Sequence, residues 1–202
     1  MNETQKKATS VKLEKQFRLA REQYWPGITD NDLWNRKTSH GFATLPRTMP
    51  QIMAIMDALC PKGKPASMTY MALWFRGFDV MMQLRITSPG YLANESGFGG
   101  ERAITTWQGR MQQLLDLGFI KVAKGPAGPY EHVIIPNPYH VLYGLHKSGV
   151  LNTSHLKELY SELVMRSGEV GAKDLELIAA APPIAVPPPI APPVAFELPK
   201  EA

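Results

Sequence analysis

Residues 88–136 constrain the fold most strongly, because their pattern predicts a helix, a turn, a second helix and a hairpin in that order. Ser88 stands before Pro89, which is typical of a helix with an N-cap serine and a proline at its first position. Gly97 ends this short helix. The glycines at residues 99 and 100 then allow a tight turn into the second helix.

The second predicted helix spans residues 101–117 and is amphipathic. Its apolar residues recur at helical spacing and predict one buried stripe: Ile104, Trp107, Met111, Leu114 and Leu115. The opposite face carries two guanidinium groups, two hydroxyls and an amide, which suit phosphates and base edges. These candidate DNA contacts are Arg102, Thr105, Thr106, Arg110 and Gln113.

A basic hairpin is predicted over residues 119–136. Residues 119–124 alternate in the manner of a strand, a turn rich in glycine and proline follows, and an apolar run returns. Lys121, Lys124 and His132 lie on the two predicted strands.

Residues 88–136 resemble the winged-helix DNA-binding superfamily. The family pattern is matched by Leu92 and Ala93 in the short helix, by Gly97, and by the residues from Leu114 to Ile120. The likeness extends upstream if residues 67–78 form the first helix and residues 80–86 the short strand that normally precede this pair. The resemblance implies that the second helix docks in the major groove and that the hairpin lies on an adjacent phosphate backbone.

Helical spacing also predicts flanking helices over residues 8–25, 50–60, 67–78, 138–147 and 154–166. The first is amphipathic and basic, whereas the second and third are so apolar that we expect them to be buried. In winged-helix proteins the trailing helices often form dimer contacts, so the resemblance offers a homodimer as one alternative and leaves the oligomeric state open. The predicted fold class is therefore mainly α with a small β-hairpin: a winged helix-turn-helix domain with extra N- and C-terminal helices.

Composition divides the chain into three parts: residues 1–44, 45–170 and 171–202. The first part is a basic helix and arm, in which Arg36 and Lys37 suit either a phosphate-contacting arm or an ordinary exposed loop. The second part is the predicted winged-helix domain. The third is rich in proline and alanine, which favours a disordered polyproline II extension over a docking motif for a protein partner.

Charge and cysteine usage restrict the setting of the protein. The formal net charge is +4, which suits a polyanionic partner but is also common in proteins that bind no nucleic acid. Cys60 is the single cysteine, so an intramolecular disulfide and the usual thiolate zinc sites are excluded. No apolar run is long enough to span a bilayer, and we expect a soluble, cytoplasmic protein with no membrane partner.

No enzyme signature emerges from the sequence. The histidines have no metal-binding spacing, and Lys64 of the Gly63-Lys64 pair is followed by Pro65 where a phosphate-binding loop needs serine or threonine. Cys60 lies in an apolar context that favours a small buried side chain over a nucleophile. We therefore expect no catalytic residue, metal or cofactor.

The sequence as a whole predicts specific binding to double-stranded DNA, most simply by a bacterial transcriptional regulator. Lys121, Lys124, Arg36 and Lys37 are expected to contact phosphates. Two alternatives stay open. One is a plasmid or mobile-element replication or maintenance protein, and the other is a protein-interaction scaffold without enzymatic activity.

Overall fold

A computed structural model describes residues 3–77 and 81–180 and divides the chain into two units, residues 1–43 and 44–202. The division lies next to the change in composition that the sequence shows near residue 44.

The first unit is one long helix followed by a looped segment. Helix α1 (Glu3–Tyr24) leads to a single 3-10 turn at Asp30–Asp32. Arg21 donates to Asp30 over 2.6 Å, and this bond lowers the pKa of Asp30. None of the side chains from residue 11 to residue 43 is buried, so these residues form no hydrophobic core.

The second unit contains the sheet and the remaining helices. Its elements, in chain order, are α2 (Met49–Leu59), α3 (Ser67–Arg76), β1 (Gln83–Arg85), α4 (Pro89–Glu95), α5 (Ala103–Asp116), β2 (Lys121–Gly125), β3 (Gly128–Ile134), α6 (Pro138–Lys147), α7 (Ser154–Val170) and α8 (Asp174–Ala180). The fold is therefore mainly helical with a small antiparallel sheet, as the sequence predicts at this level.

The three strands are arranged in the order β1-β3-β2, and both pairings are antiparallel. Val133 of β3 is opposite Leu84 on one side and Val122 on the other, and it is fully buried. The short first strand is thus an edge strand that pairs with the hairpin.

The core of the second unit lies among α2, α3, α5 and the sheet. Ile52, Ile55 and Met56 of α2 are fully buried, as expected for so apolar a helix. Tyr70 of α3 packs edge-on against Phe119 with ring centroids 5.6 Å apart. The expectation that α3 is buried is wrong in part, because Met68 and Phe75 are exposed.

Helix α3 begins where a carboxylate from α2 meets its free N–H groups. Asp57 Oδ1 accepts hydrogen bonds from the backbone N–H groups of Ala66 and Ser67, both over 2.9 Å. Asp57 Oδ2 accepts a third bond from Ser67 Oγ over 2.6 Å. Asp57 therefore serves as the N-cap of a helix to which it does not belong.

The C-terminal end of the fold differs from the predicted tail. Residues 174–180 form α8, in which Leu175 is buried, whereas the sequence places residues 171–202 together in a disordered extension. The reason is that the prolines start only at Pro182, so the preceding apolar residues are free to form a helix and pack. The proline-rich residues 181–202 lie outside the described residues.

Candidate nucleic-acid interface

Helix α5 buries one stripe of side chains in the core. Ala103, Trp107, Met111 and Leu114 are buried, at the helical spacing of a single face. Ile104, which the sequence places in this stripe, is 45% exposed. The prediction of Ile104 is wrong because Ala103, a small residue, occupies the buried position one residue earlier.

The outward face of α5 lies opposite that stripe and is polar. Thr105, Gly109, Gln112 and Asp116 are exposed and follow one another at intervals of three or four residues. A β-carbon added at Gly109 would meet no heavy atom within 4 Å. The middle of this face therefore offers bare backbone to an approaching surface.

The five residues on α5 that are predicted to contact DNA fall into two groups, one exposed and one on the flank of this face. Arg102 is the N-cap residue and is exposed, as is Thr105. Thr106, Arg110 and Gln113 lie on one flank of the helix and are half-buried. Sequence periodicity alone places all five on one face, since it does not show where the centre of the buried stripe lies.

Arg110 is held by its surroundings on this flank. Its guanidinium lies over the Phe98 ring, 5.7 Å from the ring centroid. The Nε atom of Arg110 and the Oε1 atom of Gln113 are buried and have no hydrogen-bond partner among the described residues. Phe98 therefore positions the arginine, and the two unpaired atoms lie beneath the surface of the flank.

The hairpin is anchored beside the outward face of α5 by Tyr130 of β3. The Tyr130 ring packs edge-on against Trp107 with centroids 5.8 Å apart, and its hydroxyl donates to Gln112 Oε1 over 3.2 Å. Gln112 in turn donates to Asp116 over 2.7 Å. Because both ends of its amide are engaged, Gln112 links the hairpin to the helix.

A buried carboxylate organises the hairpin itself. The Glu131 side chain accepts hydrogen bonds from the Ala127 backbone N–H over 2.6 Å and from Arg85 Nε over 2.7 Å. Its side chain is fully buried. The hydrogen bond from Ala127 lowers the pKa of Glu131 most, burial opposes this effect, and Arg85 lowers the pKa further, so the net shift is downward. A β-carbon on Gly125 would lie 2.5 Å from Glu131 Cδ, so a side chain at this position would displace the buried carboxylate. Sequence reasoning missed this carboxylate.

The two predicted lysines of the hairpin are both exposed on β2. Lys121 and Lys124 form no ion pair with any described residue. Arg85 of β1, on the far side of β3, is by contrast paired with Glu131. The free positive charge on the hairpin therefore comes from the two lysines.

Arg36 and Lys37, the remaining predicted phosphate contacts, belong to the first unit. Both are exposed, and the Arg36 guanidinium lies 5.1 Å from the centroid of the Phe42 ring. The other seven predicted residues all lie in the second unit.

The metal-ligating side chains and the Cys60 thiol are separate features of the sequence. Across residues 3–77 and 81–180, no three His, Cys, Asp or Glu side chains lie close enough together to hold a metal ion. Burial raises the pKa of the Cys60 thiol, as does the nearby Asp57 carboxylate, and both effects disfavour a thiolate.

No helix within the described ranges combines the length and the apolar character that crossing a membrane demands.

Comparisons with models of known protein families, with curated proteins and with solved structures give no significant match to this chain.

Proposed function

We propose that the second unit is a winged helix that binds double-stranded DNA sequence-specifically, as a transcriptional regulator does. In this proposal α5 enters the major groove and the β2–β3 hairpin is the wing. The observation that carries the proposal is the hairpin held by Tyr130 beside the exposed polar face of α5.

The order of the elements supports the same function. A first helix (α3), a short strand (β1), a short helix (α4), a glycine turn, a second helix (α5) and a hairpin follow one another as the resemblance leads us to expect. With 14 residues α5 is about 21 Å long, and a helix fits the major groove of B-DNA. Gly97 and Gly100, with φ of 84° and 76°, make the turn between α4 and α5.

The contacts divide into two kinds. Arg102 and Thr105 are exposed at the start of α5, where the first turn of a recognition helix meets base edges. Lys121 and Lys124 contact phosphates, which adds affinity without sequence preference. Thr106, Arg110 and Gln113 contribute from the flank of the helix, where they are half-buried.

The docking of α5 is tested by placing a bulky side chain at the centre of its outward face. Gly109→Gln should fold normally, because nothing surrounds the glycine, and should weaken DNA binding at least about tenfold by preventing close approach. Gly168→Gln in α7 is the matched control, since Gly168 is also exposed, helical and open. Fluorescence anisotropy with a pool of genomic duplexes measures both.

The wing is tested through the salt dependence of binding. The pair Lys121→Gln and Lys124→Gln should lower the slope of log affinity against log salt by about two, since each lysine neutralises one phosphate. The pair Lys147→Gln and Lys157→Gln removes the same charge from α6 and α7 and should leave the slope nearly unchanged. Equal effects of the two pairs, or no binding of the native chain at low salt, would overturn the proposal.

A further inference from the structure

A concave site lies in the second unit, apart from the residues proposed to contact DNA. It is a cavity of about 570 Å³ between α3, the start of α6 and the segment joining α7 to α8. Trp74, Met82, Ile135 and Val170 supply its apolar wall. This volume is within the range of pockets that bind small molecules, and none of the residues proposed to contact DNA lines it.

Two opposite charges share the rim of this cavity. Arg47, just before α2, and Asp174, the first residue of α8, are the ionised side chains among the described residues that line it. Neither forms an ion pair with the other or with another described residue. Asp174 accepts only a long bond of 3.4 Å from Asn137 Nδ2. Both charges are therefore open to a ligand.

Tyr139 at the start of α6 connects the two sides of the rim. Its hydroxyl is hydrogen-bonded over 2.5 Å to Thr48 Oγ1, and Thr48 is the neighbour of Arg47 in the chain. Burial raises the pKa of the Tyr139 hydroxyl, the hydrogen bond with Thr48 lowers it, and the charge of Asp174 raises it. The buried pair of Thr48 and Tyr139 thus fixes the backbone beside Arg47, and Tyr139 and Asp174 line the same cavity as that arginine.

We propose that this cavity binds a small zwitterion with an apolar side chain, of the free α-amino-acid class. Its carboxylate pairs with Arg47, its ammonium group pairs with Asp174, and its side chain packs on Trp74 and Met82. A carboxylic acid without an amine would leave Asp174 unpaired and would be repelled by it. An amine without a carboxylate would leave Arg47 unpaired and would be repelled by it.

The charge requirement is tested with matched probes on the full-length chain in the absence of DNA. Isothermal titration calorimetry compares L-phenylalanine with 3-phenylpropanoate, which lacks the amine, and with 2-phenylethylamine, which lacks the carboxylate. The corresponding leucine series tests a smaller apolar group. In at least one series the amino acid should bind about tenfold more tightly than either analogue, since each analogue loses one charged contact.

Two variants assign the two charges separately. Arg47→Gln should abolish the preference for the amino acid over the amine, and Asp174→Asn the preference over the acid. Lys173→Gln and Glu176→Gln are the matched controls, because both residues are exposed neighbours of Asp174 outside the cavity lining. If Asp174→Asn unfolds the chain, Ala172→Phe is used instead to fill the cavity from its wall, and it should abolish binding.

The proposal is overturned if neither amino acid binds, if an analogue binds as tightly as its amino acid, or if Arg47→Gln leaves the preferences unchanged. Since no DNA is present, these outcomes are independent of whether the chain binds DNA.

Discussion

Asp57→Ala is expected to be among the most destabilising single changes of a polar residue in the second unit. The substitution removes the acceptor of three hydrogen bonds at the start of α3, two of them from backbone N–H groups. Ala66 is fully buried and Ser67 is 5% exposed, so water cannot replace the carboxylate without rearrangement. Helix α3 also carries Tyr70 and Leu73 into the core, so fraying at its start exposes packed side chains.

The magnitude follows from these contacts. Loss of an N-cap side chain costs about 0.5–2 kcal/mol, and a buried donor left without a partner costs about 1–3 kcal/mol. Because the two N–H groups are adjacent and relax together, we expect a total of about 2–4 kcal/mol rather than the full sum. That is a large share of the roughly 5–15 kcal/mol by which a domain is stable.

Urea denaturation followed by circular dichroism measures this effect. The midpoint should fall while the slope m stays constant, because the surface exposed on unfolding is unchanged. Asp57→Asn is the control: it keeps Oδ1 as the acceptor of both N–H groups and should cost about 1 kcal/mol, the value of a single lost bond. A loss below about 0.5 kcal/mol for Asp57→Ala, or equal losses for the two variants, would refute the capping role.

Three further predictions concern the hairpin and the buried hydroxyl pair. Gly125→Ala should displace the Glu131 carboxylate and weaken DNA binding, whereas Gly168→Ala, placed in open space, should leave binding unchanged; anisotropy measures both. The hydrogen bond from the Ala127 N–H lowers the pKa of Glu131 in the folded chain. The ionised Glu131 therefore stabilises the fold at a pH above the unfolded-state pKa, and this stabilisation is lost as the pH falls through the folded-state pKa. On acidification Glu131→Gln should therefore lose less stability than the native chain does. Tyr139→Phe should cost about 1–2 kcal/mol in urea, because it leaves the fully buried Thr48 hydroxyl unpaired, and adding Thr48→Val should recover part of that loss.

Much of the second unit follows from local patterns in the sequence. The serine and proline at the start of α4 and the spacing of Trp107, Met111 and Leu114 in α5 are signals that need no information from distant residues. The same holds for the glycine turn, where Gly97 and Gly100 adopt a positive φ. These patterns predict which elements form, and in what order.

The orientation of α5 is harder to predict from the sequence, because the centre of a buried stripe depends on what packs against it. Ile104 is a larger apolar residue than Ala103, yet the structure buries the alanine and exposes the isoleucine. This small rotation moves Arg110 and Gln113 from the outward face to the flank. Similarly, the role of Gln112 depends on Tyr130, which is 18 residues away in the chain.

Two carboxylates that accept backbone hydrogen bonds, Glu131 and Asp57, differ in whether a local sequence pattern can identify them. Glu131 stands two residues before Val133 and four before Ile135, so the alternation of a strand already puts it on the inward face. A glutamate there must find donors, and the glycine and alanine of the adjoining turn provide the space and an N–H group. Asp57 has no such signal, because the helix that it caps begins ten residues later and only the packing of α2 against α3 brings the two together. A charged residue on the inward phase of a strand can therefore be identified from sequence, whereas a cap supplied by another helix requires the tertiary structure.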